Sequence, residues 1–304
     1  MIESVSVTNF KGETLTIELS NPQSSGFAVT GIAGLGPVKA EINTVSYVMR
    51  DGSLYSSART DNRNIVFGFL FTPSDGDTVE DVRQRSYRYF PIKSKVELVF
   101  KTTNRNARII GYVEANEPDI FSEHESTQIS IICPDPYFYD NSTKQQIAFL
   151  EKRGMFSFPF YNSGSVKEIK MGEIYKMTMK SFSYNGDTPT GIVVSLSFFG
   201  SVLGKIFLSN KTTNQTITLD TAQIAPAYRP ENGDVIEICT LSGEKYARIN
   251  KKGANGYYDI LESVDTCVLD VVGGDNQFEI TTDSSVEGDF IELSITTTET
   301  FEGI

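Results

Sequence analysis

The sequence predicts a mainly β protein of two β-sandwich domains, the first carrying one α-helix and the second of jelly-roll type. Three observations lead there. Apolar and polar residues alternate in many short runs, as in Leu15-Thr16-Ile17-Glu18-Leu19-Ser20, the pattern of a strand with one buried face. The composition suits pleated sheets, with 14 Tyr, 20 Phe and no Trp among many Thr, Ser, Ile and Val. The length of 304 residues is comfortable for two domains that each bury a real core.

A seam is visible near the middle. The apolar strand Ile129-Ser130-Ile131-Ile132-Cys133 stops at Pro134-Asp135-Pro136 and leaves through Tyr137-Phe138-Tyr139. Proline has no N–H for a sheet ladder and pushes the residue before it into extended backbone. Residues 1–139 and 140–304 are therefore read as the two domains, with Pro134, Pro136, Tyr137, Phe138 and Tyr139 as a stiff interdomain junction.

In the first half, strands are expected over residues 15–20, 27–30, 38–47, 65–71, 96–100 and 107–113. Asp51-Gly52 is a hairpin turn signal after Val45-Ser46-Tyr47-Val48-Met49. Gly31-Ile32-Ala33-Gly34-Leu35-Gly36-Pro37 is glycine-rich but not a phosphate cradle. Its order is G-x-x-G-x-G, no Lys-Ser/Thr follows, and the next residues read as a strand. A loop or subunit-contact role is the better reading. One helix is predicted over about 78–90, capped by Asp77 or Thr78 with Asp81 in capping-box spacing and stopped by Pro91. Val79, Val82 and Tyr89 or Phe90 share one face, while Arg83, Arg85 and Arg88 hold the other.

The second half shows strands over residues 156–162, 192–199, 205–208, 215–219, 235–239, 277–280 and 290–295, with Asn185-Gly186 as a hairpin turn. Recurrent turn residues and the absence of a helical period point to a second sandwich.

The formal charge of −12 favours solubility and disfavours indiscriminate binding to nucleic acid or an anionic membrane. The charge is uneven. Bases outnumber acids between Arg50 and Arg108, whereas residues 109–143 carry Glu114, Glu117, Asp119, Glu123, Glu125, Asp135 and Asp140 and no Lys or Arg. Arg83, Arg85 and Arg88 on one copy meeting Glu114, Glu117 or Asp119 on another is the subunit interface this pattern suggests. The start of the sequence is acidic and alternating, without the basic and apolar segments of a signal peptide. No apolar run approaches a membrane span. Cys133, Cys239 and Cys267 are far apart and read as small core residues in a reducing cytoplasm.

Catalysis leaves no trace in the sequence. His124, the single histidine, lies between Glu123 and Glu125 without a spaced nucleophile. Asp75-Gly76-Asp77 lacks the remaining ligands of a calcium loop and reads as a helix cap. The chain is read as a non-enzyme with no cofactor and no metal.

The ordered set in the first half is a Gly-Leu-Gly-Pro loop, a polar segment from Arg50 to Arg63, an apolar strand, a capped helix, a strand pair, an acidic stretch and Cys-Pro-Asp-Pro-Tyr-Phe-Tyr. Together these resemble the distal tail proteins of long-tailed, non-contractile phages and related tail-like particles. In the second half, Gly233-Asp234-Val235-Ile236-Glu237-Ile238, Gly243-Glu244-Lys245 and residues 269–278 are similar to the galectin-like carboxy-terminal domain of that family. The resemblance implies a structural virion protein of the tail, assembled in a bacterial cytoplasm. It implies a hexameric ring of amino-terminal domains around the DNA channel, with the tail tube protein, a tail-tip protein and a receptor-binding or fibre protein as partners. A sugar-binding module or a cell-wall glycan hydrolase are the alternatives. For the former, Tyr257-Tyr258 and Tyr137-Phe138-Tyr139 are the stacking candidates.

Overall fold

A computed structural model describes residues 1–47, 49, 51–74, 76–154, 172–176, 178–283 and 291–304, with only the backbone described for 142–144, 150–154 and 172–176. The protein is mainly β and divides into two compact units. The first comprises Met1–Thr143 and Thr300–Ile304, the second Lys144–Glu299.

The first unit contains β1 (Ile2–Thr8), β2 (Thr14–Glu18), β3 (Phe27–Ala33), β4 (Ala40–Ser46), β5 (Ser53–Thr60) and β6 (Arg63–Phe71). Then come α1 (Val79–Tyr89), β7 (Lys95–Thr102), β8 (Asn106–Asp119), β9 (Ser126–Cys133) and β10 (Phe138–Ala148), which carries the chain into the second unit. The strand pairs described in this unit are antiparallel. β2, β1, β7 and the start of β8 form one sheet; the end of β8 pairs β9, followed by β6 and β3, in another.

β8 therefore serves two sheets. Tyr112 pairs with Lys95 on one side and Ile132 on the other, and the register shifts between Val113 and Ala115. A bulge of this kind bends and twists a strand, which lets it pass from one sheet to the next. Gly111 lies at that crossing. A β-carbon there would sit 2.5 Å from Ile131 Cγ2 and 2.8 Å from Cys133 Sγ.

Between the sheets lie Val5, Val7, Ile17, Phe27, Ile65, Phe67, Phe69, Leu98, Phe100, Ile109, Ile129 and Ile131. Phe67, Phe69 and Phe71 point inward from alternate positions of β6, as a strand with one buried face requires. The helix begins at a capping box, with Thr78 accepting from the Asp81 N–H and Asp81 accepting from the Thr78 N–H. It docks through Val82, and Phe90 beyond its end lies 6.0 Å from the Phe69 ring.

The second unit holds β11 (Leu150–Gly154), β12 (Gly172–Lys176), β13 (Met179–Tyr184), β14 (Thr190–Gly191), β15 (Val193–Phe198), β16 (Lys205–Asn210) and β17 (Gln215–Asp220). It continues with β18 (Val235–Cys239), β19 (Tyr246–Asn250), β20 (Tyr258–Asp259), β21 (Asp270–Val271), β22 (Gly274–Thr282) and β23 (Ile291–Phe301), whose last residues belong to the first unit. One sheet has the order β23-β15-β18-β19-β20 and the other β13-β22-β16-β17. They enclose a shared core that includes Leu196, Phe198, Leu208, Ile217, Ile236, Ile249, Phe278 and Leu293. This is a β-sandwich.

Two sequence expectations need comment. Asn185-Gly186 does not close a hairpin: β13 before it pairs with β22, and β14 after it with β21. The glycine instead admits the Tyr184 ring, since a β-carbon at 186 would lie 2.1 Å from the Tyr184 hydroxyl. The strand expected over 156–162 lies outside the described residues.

Candidate functional site

Among the described residues β4 and β5 pair only with each other, and every residue of both strands is exposed. Directly paired residues share a face. Ala40/Thr60, Ile42/Ala58 and Thr44/Tyr55 stand on one side of this arm; Glu41/Arg59, Asn43/Ser57 and Val45/Leu54 stand on the other. The Glu41–Arg59 pair, at 2.7 Å, makes the second face polar near the root. Towards the tip both faces turn apolar, and Ile42, Val45, Leu54 and Tyr55 are 55–63% exposed. A lone two-stranded ribbon is marginal in water. Covering what each of these side chains still exposes is worth about 1–2 kcal/mol.

The root of the arm is built around Arg63. The arm is entered through Gly34-Leu35-Gly36-Pro37 and left at Asp61-Asn62, directly before Arg63 begins β6. Arg63 is 1% exposed. Its Nε donates to Pro136 O at 2.6 Å, Nη1 to Gly36 O at 2.7 Å and also to Gly34 O, and Nη2 to Glu302 O at 2.6 Å. The guanidinium sits 4.4 Å from the centre of the Phe138 ring. Burial lowers its pKa, but a guanidinium stays charged at any ordinary pH. A buried charge costs several kcal/mol, which four charge-assisted bonds at about 1.5–3 kcal/mol each offset. Gly34, at φ +85°, is required here: a β-carbon would fall 2.0 Å from Asn64 O.

The segment after Glu299 completes the root. Ile304 N donates to Leu35 O at 3.1 Å, and Arg105 donates to Gly303 O at 3.0 Å while its guanidinium lies 4.2 Å from the buried Phe301 ring.

The arginines of α1 are engaged within their own chain. Arg83 pairs with Glu125 at 2.8 Å and with Glu80 at 3.7 Å. Arg85 pairs with Asp77 at 2.8 Å and donates to Ser25 O. Arg88 pairs with Glu13, whose carboxyl is held down at about 2 by hydrogen bonds from Arg88 and then Asn9. Glu114, Glu117 and Asp119 are exposed along β8; Glu114 is the residue at the bulge and accepts from Ser130 Oγ at 2.7 Å. The structure does not bring the three arginines onto these three acids within one chain.

At the strand break, Pro134 is exposed and Pro136 half-buried. Phe138 is fully buried in the core of the first unit, edge-on to Phe100 at 5.9 Å. Tyr139 pairs with Arg108 of β8 and donates to Asp135 Oδ2, and Tyr137 N donates to Asp135 Oδ1 at 3.2 Å. The aromatic triplet is thus built into the first unit. His124 is exposed. Among the described residues, no group of three His, Cys, Asp or Glu is placed to hold a metal ion, and no helix is long and apolar enough to cross a membrane.

The second unit carries a ledge of aromatic rings. Arg248 is held by Glu237 at 2.6 Å and lies 4.0 Å from the Tyr257 ring and 4.3 Å from that of Tyr246. Tyr228 and Tyr258 stack at 4.2 Å, and Tyr257 is half exposed.

Neither Arg63 nor the apolar tip was singled out by sequence reasoning. The only available signals were isolated Ile, Val, Leu and Tyr in a Ser/Thr-rich run, and an arginine heading an apolar strand.

No protein-family model and no curated protein matches the sequence. Solved structures do. The phage SPP1 Dit protein, presented as a paradigm of the hub adsorption apparatus in phages infecting Gram-positive hosts, aligns with a TM-score of 0.61 at 11% identity over 98% of this chain and 99% of that one. A chain of the phage P2 baseplate in its activated conformation with Ca aligns with a TM-score of 0.50 at 12% identity, covering 97% of this chain and 98% of that one. At these identities the likeness is one of fold.

Proposed function

We propose that this chain is a structural hub of a phage tail or tail-like particle, acting by assembly rather than catalysis. The arm carries this reading: it exposes apolar side chains on both faces, and a second copy of the chain supplies what would cover them. The shared fold with the SPP1 Dit hub protein and a P2 baseplate chain supports it. In this reading the first units form a closed ring, hexameric as the family resemblance implies. The ring joins the tail tube to the tail-tip and adhesion apparatus, and the second units dock receptor-binding or fibre proteins. A net charge of −12 suits a ring through which DNA passes without sticking. Arg83, Arg85 and Arg88 then act first as braces of their own subunit, and Glu114, Glu117 and Asp119 are the exposed charges available to a neighbour. The test is location. Antibody against the chain should decorate the tail end distal to the capsid in particles from a producing lysate; decoration of capsids alone would contradict the reading.

A second reading, glycan binding by the second unit, rests on the Tyr257 and Arg248 ledge. Glycan-array binding by the full chain, lost in Tyr257→Ala, would favour it.

A further inference from the structure

The arm touches a partner only if it points the right way, and its own strands do not fix its direction. Between β3 and β4 the chain has no ladder partner over residues 34–39. What holds that stretch is the set of contacts at its root. Arg63 donates to Gly34 and Gly36 on the entering side and itself directly follows Asp61 and Asn62, the two residues that leave β5. The same guanidinium grips Glu302, next to Gly303, whose added β-carbon would lie 3.0 Å from Leu35 O and 3.3 Å from Gly36 Cα.

We infer that Arg63 is the positioning residue of the assembly arm, and that residues 300–304 belong to the assembly apparatus because the root is incomplete without them. The inference rests on the reading of the arm as a contact between copies. The lever is long. At roughly 3.3 Å per residue a seven-residue strand such as β4 reaches on the order of 20 Å, so a tilt of about 10° at the root moves the tip by about 4 Å. That is enough to lose van der Waals contact. Only a planar fork of donors serves here. A lysine offers one compact ammonium and cannot reach four carbonyls spread around it.

The experiment compares the full chain with Arg63→Lys, with Gly303→Val, and with the tip variant Leu54→Ser/Tyr55→Ser. Sedimentation across a dilution series reports assembly, and amide exchange of the dissociated chains reports the root. Arg63→Lys should keep a cooperative melt, speed exchange at least tenfold over 300–304, where Ile304 N donates to Leu35 O, and raise the concentration for assembly at least tenfold. The tip variant should lose assembly with exchange over 300–304 unchanged. Parent-like assembly of Arg63→Lys beside a tip variant that fails to assemble would overturn the inference alone. Parent-like assembly of the tip variant would overturn the arm reading itself. Should Arg63→Lys not fold, Gly303→Val decides: weakened assembly supports the inference, and parent-like assembly overturns it.

Discussion

The Nε of Arg63 donates to the carbonyl of Pro136 at 2.6 Å, tying the first residue of β6 to the strand break between β9 and β10. That break has a physical cause. Along one edge of β8, β9 pairs from Asp119 back to Tyr112 and β10 resumes at Arg108; Pro134 and Pro136 lie between and offer no N–H. The carbonyl left over at Pro136 is satisfied by Arg63.

Removing the guanidinium while keeping the bulk should leave the carbonyls of Gly34, Gly36, Pro136 and Glu302 without their common donor. Arg63→Met is therefore expected to destabilise the first unit by on the order of 3 kcal/mol, more than a typical substitution. Urea unfolding followed by a probe in the first unit measures it. A loss below about 1 kcal/mol would show that water or backbone shifts replace the arginine.

Cys133 adjoins this cluster, and burial pushes its thiol up from 9.0 to about 12. The native chain keeps that proton after the unfolded chain has released it. The stabilising contribution is thus complete below about pH 9 and declines as the pH rises towards 12. Relative to Cys133→Ala, the parent should lose about 1.4 kcal/mol of stability per pH unit in that window. Parallel stability profiles for the two proteins above pH 9 would refute the assignment.

Glu13 behaves oppositely. Its carboxylate is held down by the Arg88 hydrogen bond first and Asn9 second, so what it contributes is present above its ordinary 4.5 and lost as the pH falls towards 2. Being exposed, the pair is weakened by salt. An NMR titration should place Glu13 near 2 in the parent and closer to 4.5 in Arg88→Ala. An unshifted midpoint in the parent would mean the pair does not persist in solution.

The crossing of β8 between sheets depends on the missing side chain at Gly111. Gly111→Ala should cost about 1–3 kcal/mol through overpacking against Ile131 and Cys133. Adding Ile131→Leu, which removes the contacted Cγ2 methyl by moving the branch one carbon further out, should recover part of the loss; a thermal melt of the pair of variants checks this.

Local signals carried much of the fold. The capped helix was legible because Thr78, Asp81 and Pro91 act within one turn of the chain. The turn at Asp51-Gly52 was equally local, and β4 and β5 pair across it. What that signal could not convey is that neither face of the arm is covered, since burial depends on residues distant in sequence. Arg63 was illegible for the same reason: its partners lie at Gly34, Gly36, Pro136 and Glu302, three separate segments. The return of Thr300–Ile304 to the first unit has no sequence mark at all. Asn185-Gly186 shows the converse, a good turn signal overridden by strands that pair elsewhere.

The central claim is that the chain assembles with copies of itself into a closed ring through the arm. Native mass measurement with negative-stain imaging of the purified full chain tests it most directly. The account predicts a single closed oligomer, seen as rings, that the Leu54→Ser/Tyr55→Ser variant fails to form. A strictly monomeric species at high micromolar concentration and low salt, with no rings in the images, would contradict it.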